Sequence, residues 1–277
     1  MHQQIDATLG PSSIGSVLQQ DADLDARGSA RERNEASSAS APEQVLALDS
    51  FTKRYGDRTV VDSLSLSARA GEIVCLLGAN GAGKTTTIYA LLGFVTPSAG
   101  SARVCGRESH LYPLEARRHV AYIPEVVVLY EHLTAVENVD FLCAMGGLVL
   151  SASTIAAHLE EAGLSPEFHQ RRVGTYSKGM RQKVGIALAL ARGTRALLLD
   201  EPLSGLDPKA AHEFGELLRR RAERGTAVLM ATHDLYRARE IATRIGILRA
   251  GRLVDLLDAR ELSPADLERI YLHHMKA

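Results

Sequence analysis

The chain has 277 residues, enough for one sizeable domain with its own core, and its apolar (45%) and charged (23%) fractions are those of an ordinary globular protein rather than a membrane, fibrous or wholly disordered one. With 32 basic against 33 acidic residues, a net charge of -1 supplies no global field to draw the molecule to nucleic acid or an acidic membrane surface. Cys75, Cys105 and Cys143 stand far apart and form no CxxC pair, which argues against a disulfide framework or zinc site, suits a reducing cytosol and predicts three small buried hydrophobes.

Residues 1–42 are rich in Ser, Ala, Gln and Asp with almost no clustered apolar side chains, and are expected to form a disordered extension ahead of one catalytic domain over 43–277. Asp21, Asp23 and Asp25 fall where a secretory signal needs an apolar centre, so the chain is expected to stay inside the cell. From Val45 to Ala68 apolar and polar residues alternate and β-branched side chains are common, which predicts a small layer of strands with one solvated face. GEIVCLLG, from Gly71 to Gly78, is a continuous apolar run expected to be a strand buried on both faces, and a Gly-rich turn leads from it into a helix over TTTIYALLGF.

Residues 130–192 read as helical, because Thr134 and Glu137 have capping-box spacing ahead of an apolar face and STIAAHLEEAGL repeats the helical period. The longest apolar run, Phe141 to Leu150, is about half of the roughly 20 residues a membrane-spanning helix needs. ALLLD (Ala196 to Asp200) and AVLMAT (Ala227 to Thr232) are two more buried strands, separated by a helix with Phe214, Leu217 and Leu218 on one face, and this alternation implies a parallel sheet. The basic run Arg219 to Arg221 lies in that helix beside Glu216 and Glu223 and reads as a solvated face. Ser263 as N-cap and Pro264 at the first helical position open a last helix through Leu267, Ile270 and Tyr271.

Two motifs carry chemistry on their own. GANGAGKTT comprises Gly78, Ala79, Asn80, Gly81, Ala82, Gly83, Lys84, Thr85 and Thr86, and it lies between a predicted strand and a predicted helix as a phosphate-binding loop must. Gly78, Gly81 and Gly83 are expected to let the backbone curl so that its N–H groups face phosphate oxygens, with the helix start adding its positive end. Lys84 is expected to reach the β- and γ-phosphates and the Thr85 hydroxyl to ligate magnesium. A Gly-rich turn with an incidental lysine is the alternative, and LLLDEP argues against it. Asp200 and Glu201 end a buried apolar strand, where two carboxylates are costly unless a cation or substrate needs them. Asp200 is expected to hold magnesium through its shell, and Glu201 to polarise the water that attacks the γ-phosphorus.

With these motifs and others in the same order over about residues 45–250, the sequence resembles the nucleotide-binding domains of the ABC superfamily. The resemblance implies an α/β fold of the P-loop NTPase class: a mainly parallel sheet core, an antiparallel β-subdomain, and a helical subdomain carrying the signature motif. YSKGMRQK, Tyr176 to Lys183, is similar to the LSGGQ signature and keeps its serine and second glycine as Ser177 and Gly179. In the family these bind the γ-phosphate of a nucleotide held by the other domain of a dimer. SGLD resembles the D-loop between the two sites and brings in Asp207; ATHD makes His233 the counterpart of the γ-phosphate-sensing histidine; Tyr55 is placed like the aromatic residue that stacks on adenine.

Two departures stand out. AYIPE puts Glu125 where most relatives have a magnesium-ligating glutamine, and Lys178 and Met180 replace glycine and glutamine in the signature. A carboxylate still offers oxygen to magnesium, but its charge is expected to make the site respond differently to γ-phosphate loss. Both departures resemble exporter-type domains with a separately encoded permease. The resemblance therefore implies an ATPase using ATP and Mg2+, peripheral on the cytoplasmic face of the cell membrane. It would close as a homodimer, or as a heterodimer with a related ATPase, and drive an integral membrane permease, with no nucleic acid partner. A ribosome- or DNA-acting ATPase is opposed by the single motif set and the lack of a heptad insertion, and a small-molecule kinase would leave YSKGM, SGLD and ATHD without a role.

Overall fold

In the computed structural model, which describes residues 43–276, the alternating segment forms two long antiparallel strands, β1 (Gln44–Tyr55) and β2 (Arg58–Arg69). The expected disordered extension over 1–42 lies outside the described residues. β3 (Ile73–Leu77) follows and leads to α1 (Lys84–Leu91), which is shorter than TTTIYALLGF predicts because Gly93, at φ +70°, turns the chain away. β4 (Ala99–Val104) and β5 (Arg107–Glu108) then extend the first sheet to the order β2-β1-β4-β5.

After α2 (Pro113–His119) comes β6 (Val120–Ile123), and then a helical stretch: α3 (Ala135–Met145), α4 (Ala152–Glu161), α5 (Pro166–His169) and α6 (Lys178–Ala191). Thr134 and Glu137 make the reciprocal capping box at the start of α3 that their spacing announces. Ser151, rather than a residue within STIAAHLEEAGL, caps α4. The rest alternates as β7 (Ala196–Asp200), α7 (Pro208–Glu223), β8 (Ala227–Thr232), α8 (Leu235–Ile241), β9 (Arg244–Arg249), β10 (Arg252–Asp258) and α9 (Pro264–Lys276).

The second sheet has the order β10-β9-β3-β8-β7-β6 and is parallel throughout except for β10, which runs antiparallel to β9. Every residue of β3, β7 and β8 is buried, which is why each reads as an unbroken apolar run. Successive side chains of β3 point to opposite faces. Ile73, Cys75 and Leu77 join a core built with the helices, while Val74 and Leu76 join one built with the first sheet. Cys75 and Cys143 are buried as expected; Cys105 is only half-buried, at φ +47° in the turn after β4, and so corrects that expectation. Among the described residues no helix is long and apolar enough to cross a membrane.

The strand order determines where chemistry can gather. β8 lies between β3 and β7, so the loops leaving the carboxyl ends of β3 and β7 meet over the end of β8, and ligands of open α/β sheets bind at such ends.

Candidate nucleotide site

The chain leaves β3 at Leu77 and must turn sharply to enter α1 at Lys84. Gly81 and Gly83 make that turn at φ +80° and +105°, the left-handed region that strains any other residue. Gly78 serves a different purpose from the curl expected of it. Its φ is not left-handed, but a Cβ there would sit 2.4 Å from the carbonyl oxygen of Leu248 in β9, so only glycine fits. The loop is braced from two sides: Gly78 N donates to the Thr232 carbonyl at 3.2 Å, and Gly251 N donates to the Ala82 carbonyl at 3.0 Å. Gly83 caps α1 without a side chain, so no side-chain acceptor occupies the first N–H groups of that helix.

Lys84 is buried, at 6% exposure, and its ammonium donates to the Gly78 carbonyl at 2.6 Å and lies 3.2 Å from Oε1 of Glu201. The Thr85 hydroxyl donates to Oδ2 of Asp200 at 2.8 Å, across the gap between β3 and β7. Burial pushes the Asp200 carboxyl above the ordinary carboxylate range; the Thr85 hydrogen bond opposes this, while the nearby Glu201 and Glu125 charges add to it. Glu201 follows at φ +46°, an uncommon conformation for a residue with a side chain. Its N–H donates to Ala231 at 2.9 Å, and its Oε2 lies 2.9 Å from Nδ1 of His233, in the loop after β8. Apart from the Lys84 charge, the buried Oε1 has no hydrogen-bond partner among the described residues.

Lys84, Thr85, Asp200 and Glu201 border a cleft of about 520 Å³, within the range of small-molecule sites, whereas Gly78 and His233 do not line it. Of the candidate residues, Tyr55, Ala79 to Thr86, Glu125, Asp200 and Glu201 line it. Tyr55 is half-exposed, with the Lys53 ammonium 4.8 Å from its ring centre, so aromatic surface remains for a base. Arg58 and Val60 also line the cleft and were not picked out from sequence; the signal was their place just past the Gly56 turn that follows Tyr55.

Ser177, Gly179 and Asp207 do not line the cleft of their own chain. Ser177 caps α6 by accepting from Met180 N. Gly179 lets the turn before α7 approach, since a Cβ there would lie 3.3 Å from Leu206. Asp207 caps α7 by accepting from Ala210 N at 3.0 Å.

The chain matches the ABC transporter family over residues 61–204, just over half its length. It belongs to that family. The bacitracin transport ATP-binding protein BcrA of Enterococcus faecalis is 37% identical over 79% of this chain and 71% of its own. The Nod factor export ATP-binding protein I of Burkholderia orbicola (strain AU 1054) is 38% identical over 73% of this chain and 67% of its own. A solved dimer of an ATP-binding cassette in a post-hydrolysis state, bound to ADP and Pi, aligns with a TM-score of 0.70 at 25% identity, covering 78% of this chain and all (100%) of that one. The protein is thus an ATP-binding and ATP-hydrolysing subunit of an ABC transporter, with the α/β P-loop fold of that family's cassettes. The Ala79 to Thr86 loop, Asp200 and Glu201 are parts of this ABC subunit that the cleft brings together.

Proposed function

We propose that this ABC subunit works as one of two cassettes that close over two ATP molecules and power export through a separate integral membrane permease. The observation that carries the reading is the meeting of Lys84 with Glu201, Thr85 with Asp200, and Glu201 with His233 at the carboxyl ends of β3, β7 and β8. In this reading the nucleotide phosphates lie on the N–H groups of the Gly78 to Thr86 loop and on the Lys84 ammonium, which turns from Glu201 to the β- and γ-phosphates. Glu201, oriented by His233, accepts the proton of the attacking water. His233 senses the γ-phosphate through that shared carboxylate, and Tyr55 stacks on adenine beside Arg58.

The donor set fits magnesium. The Thr85 hydroxyl, the Asp200 carboxylate and Glu125 are hard oxygen donors, and Asp200 carries its charge in a buried place that a cation would favour. Among the described residues no three His, Cys, Asp or Glu side chains gather closely enough to hold a metal by themselves, which matches an ion that shares its shell with phosphate oxygens and water. When bound, magnesium neutralises charge on the transferring phosphoryl group.

Ser177 and Gly179 lie at the N-terminus of α6 but outside their own cleft, which supports their facing the nucleotide of a second cassette, identical or related. Asp207 sits in the turn between β7 and α7. Exposed Val126 and Val128, with Leu142, Leu188 and Arg192, border an apolar groove of about 390 Å³ beside Glu125, a surface suited to a permease segment. Export follows the role of the Nod factor export relatives, and the cytoplasmic face of the membrane is the corresponding place. Affinity purification of the tagged chain from detergent-solubilised membranes tests the partnership. A polytopic membrane protein should co-purify; recovery with nucleic acid or ribosomes and no membrane protein would contradict it.

A further inference from the structure

At the start of α6 a cation stands where the helix is already positive, and a carboxylate from the nucleotide cleft holds it. Lys178 is the first residue of this 14-residue helix, whose free N–H groups give that end partial positive charge, an unfavourable place for an ammonium without an anion. Its Nζ lies 3.7 Å from Oε1 of Glu125. The same oxygen accepts a hydrogen bond from the Ser204 hydroxyl at 3.0 Å. The Lys178 stem also covers Gly205, where a Cβ would meet its Cδ and Nζ at 3.8 Å. A single carboxylate oxygen therefore ties the signature helix to the SGLD turn, while the Glu125 side chain also lines the cleft with Asp200 and Glu201.

Glu125 and Lys178 are thus brought together with opposite signs. We propose that they form a latch opened by nucleotide, with Lys178 as a positioning residue. Without nucleotide, the pair holds the start of α6 and the SGLD turn against the rim of the cleft. Glu125, when drawn to a magnesium nucleotide in the cleft, would let go of Lys178 and Ser204 and so free both elements to move toward a second cassette. This rests on the reading of Glu125 as a cleft ligand. With side-chain exposures of 31% and 53%, the pair is worth a factor of at most about five, which makes the latch a bias on the equilibrium and not a lock.

A double-mutant cycle on the full chain tests this, with calorimetric affinity for ATP in the presence of magnesium as the readout. Lys178→Met keeps the stem over Gly205 and removes the charge, so it should tighten ATP binding about two- to fivefold by freeing Glu125. In a Glu125→Gln background the same change should have no effect, and Lys178→Arg, which restores the pair, should match the original chain. Equal effects of Lys178→Met in both backgrounds, or none in either, would overturn the latch. If Lys178→Met folds poorly, Lys178→Gln carries the same cycle. Failure of the unmodified chain to bind ATP would instead refute the nucleotide reading beneath it, so the two failures are distinguishable.

Discussion

Lys84 and Glu201 hold one another at 3.2 Å in a place where neither is well solvated, so each offsets the other's charge. Replacing Lys84 by Ala removes the cation that phosphate would recruit and leaves Glu201 unneutralised. Calorimetry should show ATP affinity reduced at least about tenfold, and unchanged affinity would contradict the phosphate-loop assignment. Asp200 gives a prediction of opposite sign for stability. Its folded carboxyl is raised by burial, so the fold holds its charge at a disadvantage. Its contribution to stability falls as pH rises from the ordinary carboxylate range through the raised value, and it stays lost at neutral pH. Asp200→Asn keeps an oxygen for Thr85. It should raise the Tm of the nucleotide-free chain by a few degrees at pH 7, with the gain fading toward about pH 4, while weakening magnesium-dependent ATP binding. An unchanged or lower Tm at neutral pH would contradict the assignment of a burial penalty. Residue types and spacing made these groups legible in the sequence. The left-handed backbone of Glu201, the steric role of Gly78 and the pairing of Glu125 with Lys178 were not, because each depends on what a distant segment places beside it.

Among the elements, β3, β7 and β8 were legible because burial on both faces leaves an unbroken apolar run. Three further strands were hidden for particular reasons. β5 has 2 residues and β6 has 4, too few to show a period. β9 carries Gly246 at its centre, which reads as a breaker. In the fold that glycine makes room for Leu253, whose Cδ1 would lie 2.9 Å from a Cβ there. The segment after Glu125 is pinned in a way that the sequence does not display. Buried Asn138 of α3 accepts from Tyr130 N at 2.8 Å and donates to the carbonyls of Tyr130 and Thr134 at 3.1 and 2.8 Å. Asn138→Ala strands those backbone groups, at a cost of about 2 kcal/mol. Thermal unfolding should show a Tm lower by about 4–8 °C; a change under about 1 °C would mean that the loop is held by other contacts.

For the whole molecule, the order β10-β9-β3-β8-β7-β6 gathers the phosphate loop, the Asp200–Glu201 pair and His233 at one end of a single sheet, while Ser177 and Gly179 stay outside that cleft. On the proposed reading, Ser177 and Gly179 face the nucleotide of a second cassette. Motif order made the candidate residues legible, whereas the separation of Ser177 and Gly179 from the cleft shows only once α6 is placed. The most direct test is sedimentation of Glu201→Gln with and without ATP and magnesium. That change keeps the shape of the side chain and removes the proposed base, so hydrolysis should fall about a hundredfold or more while nucleotide stays bound. The variant should sediment as a dimer with ATP and as a monomer without it. A monomer at saturating ATP, or near-normal hydrolysis by the variant, would contradict the account.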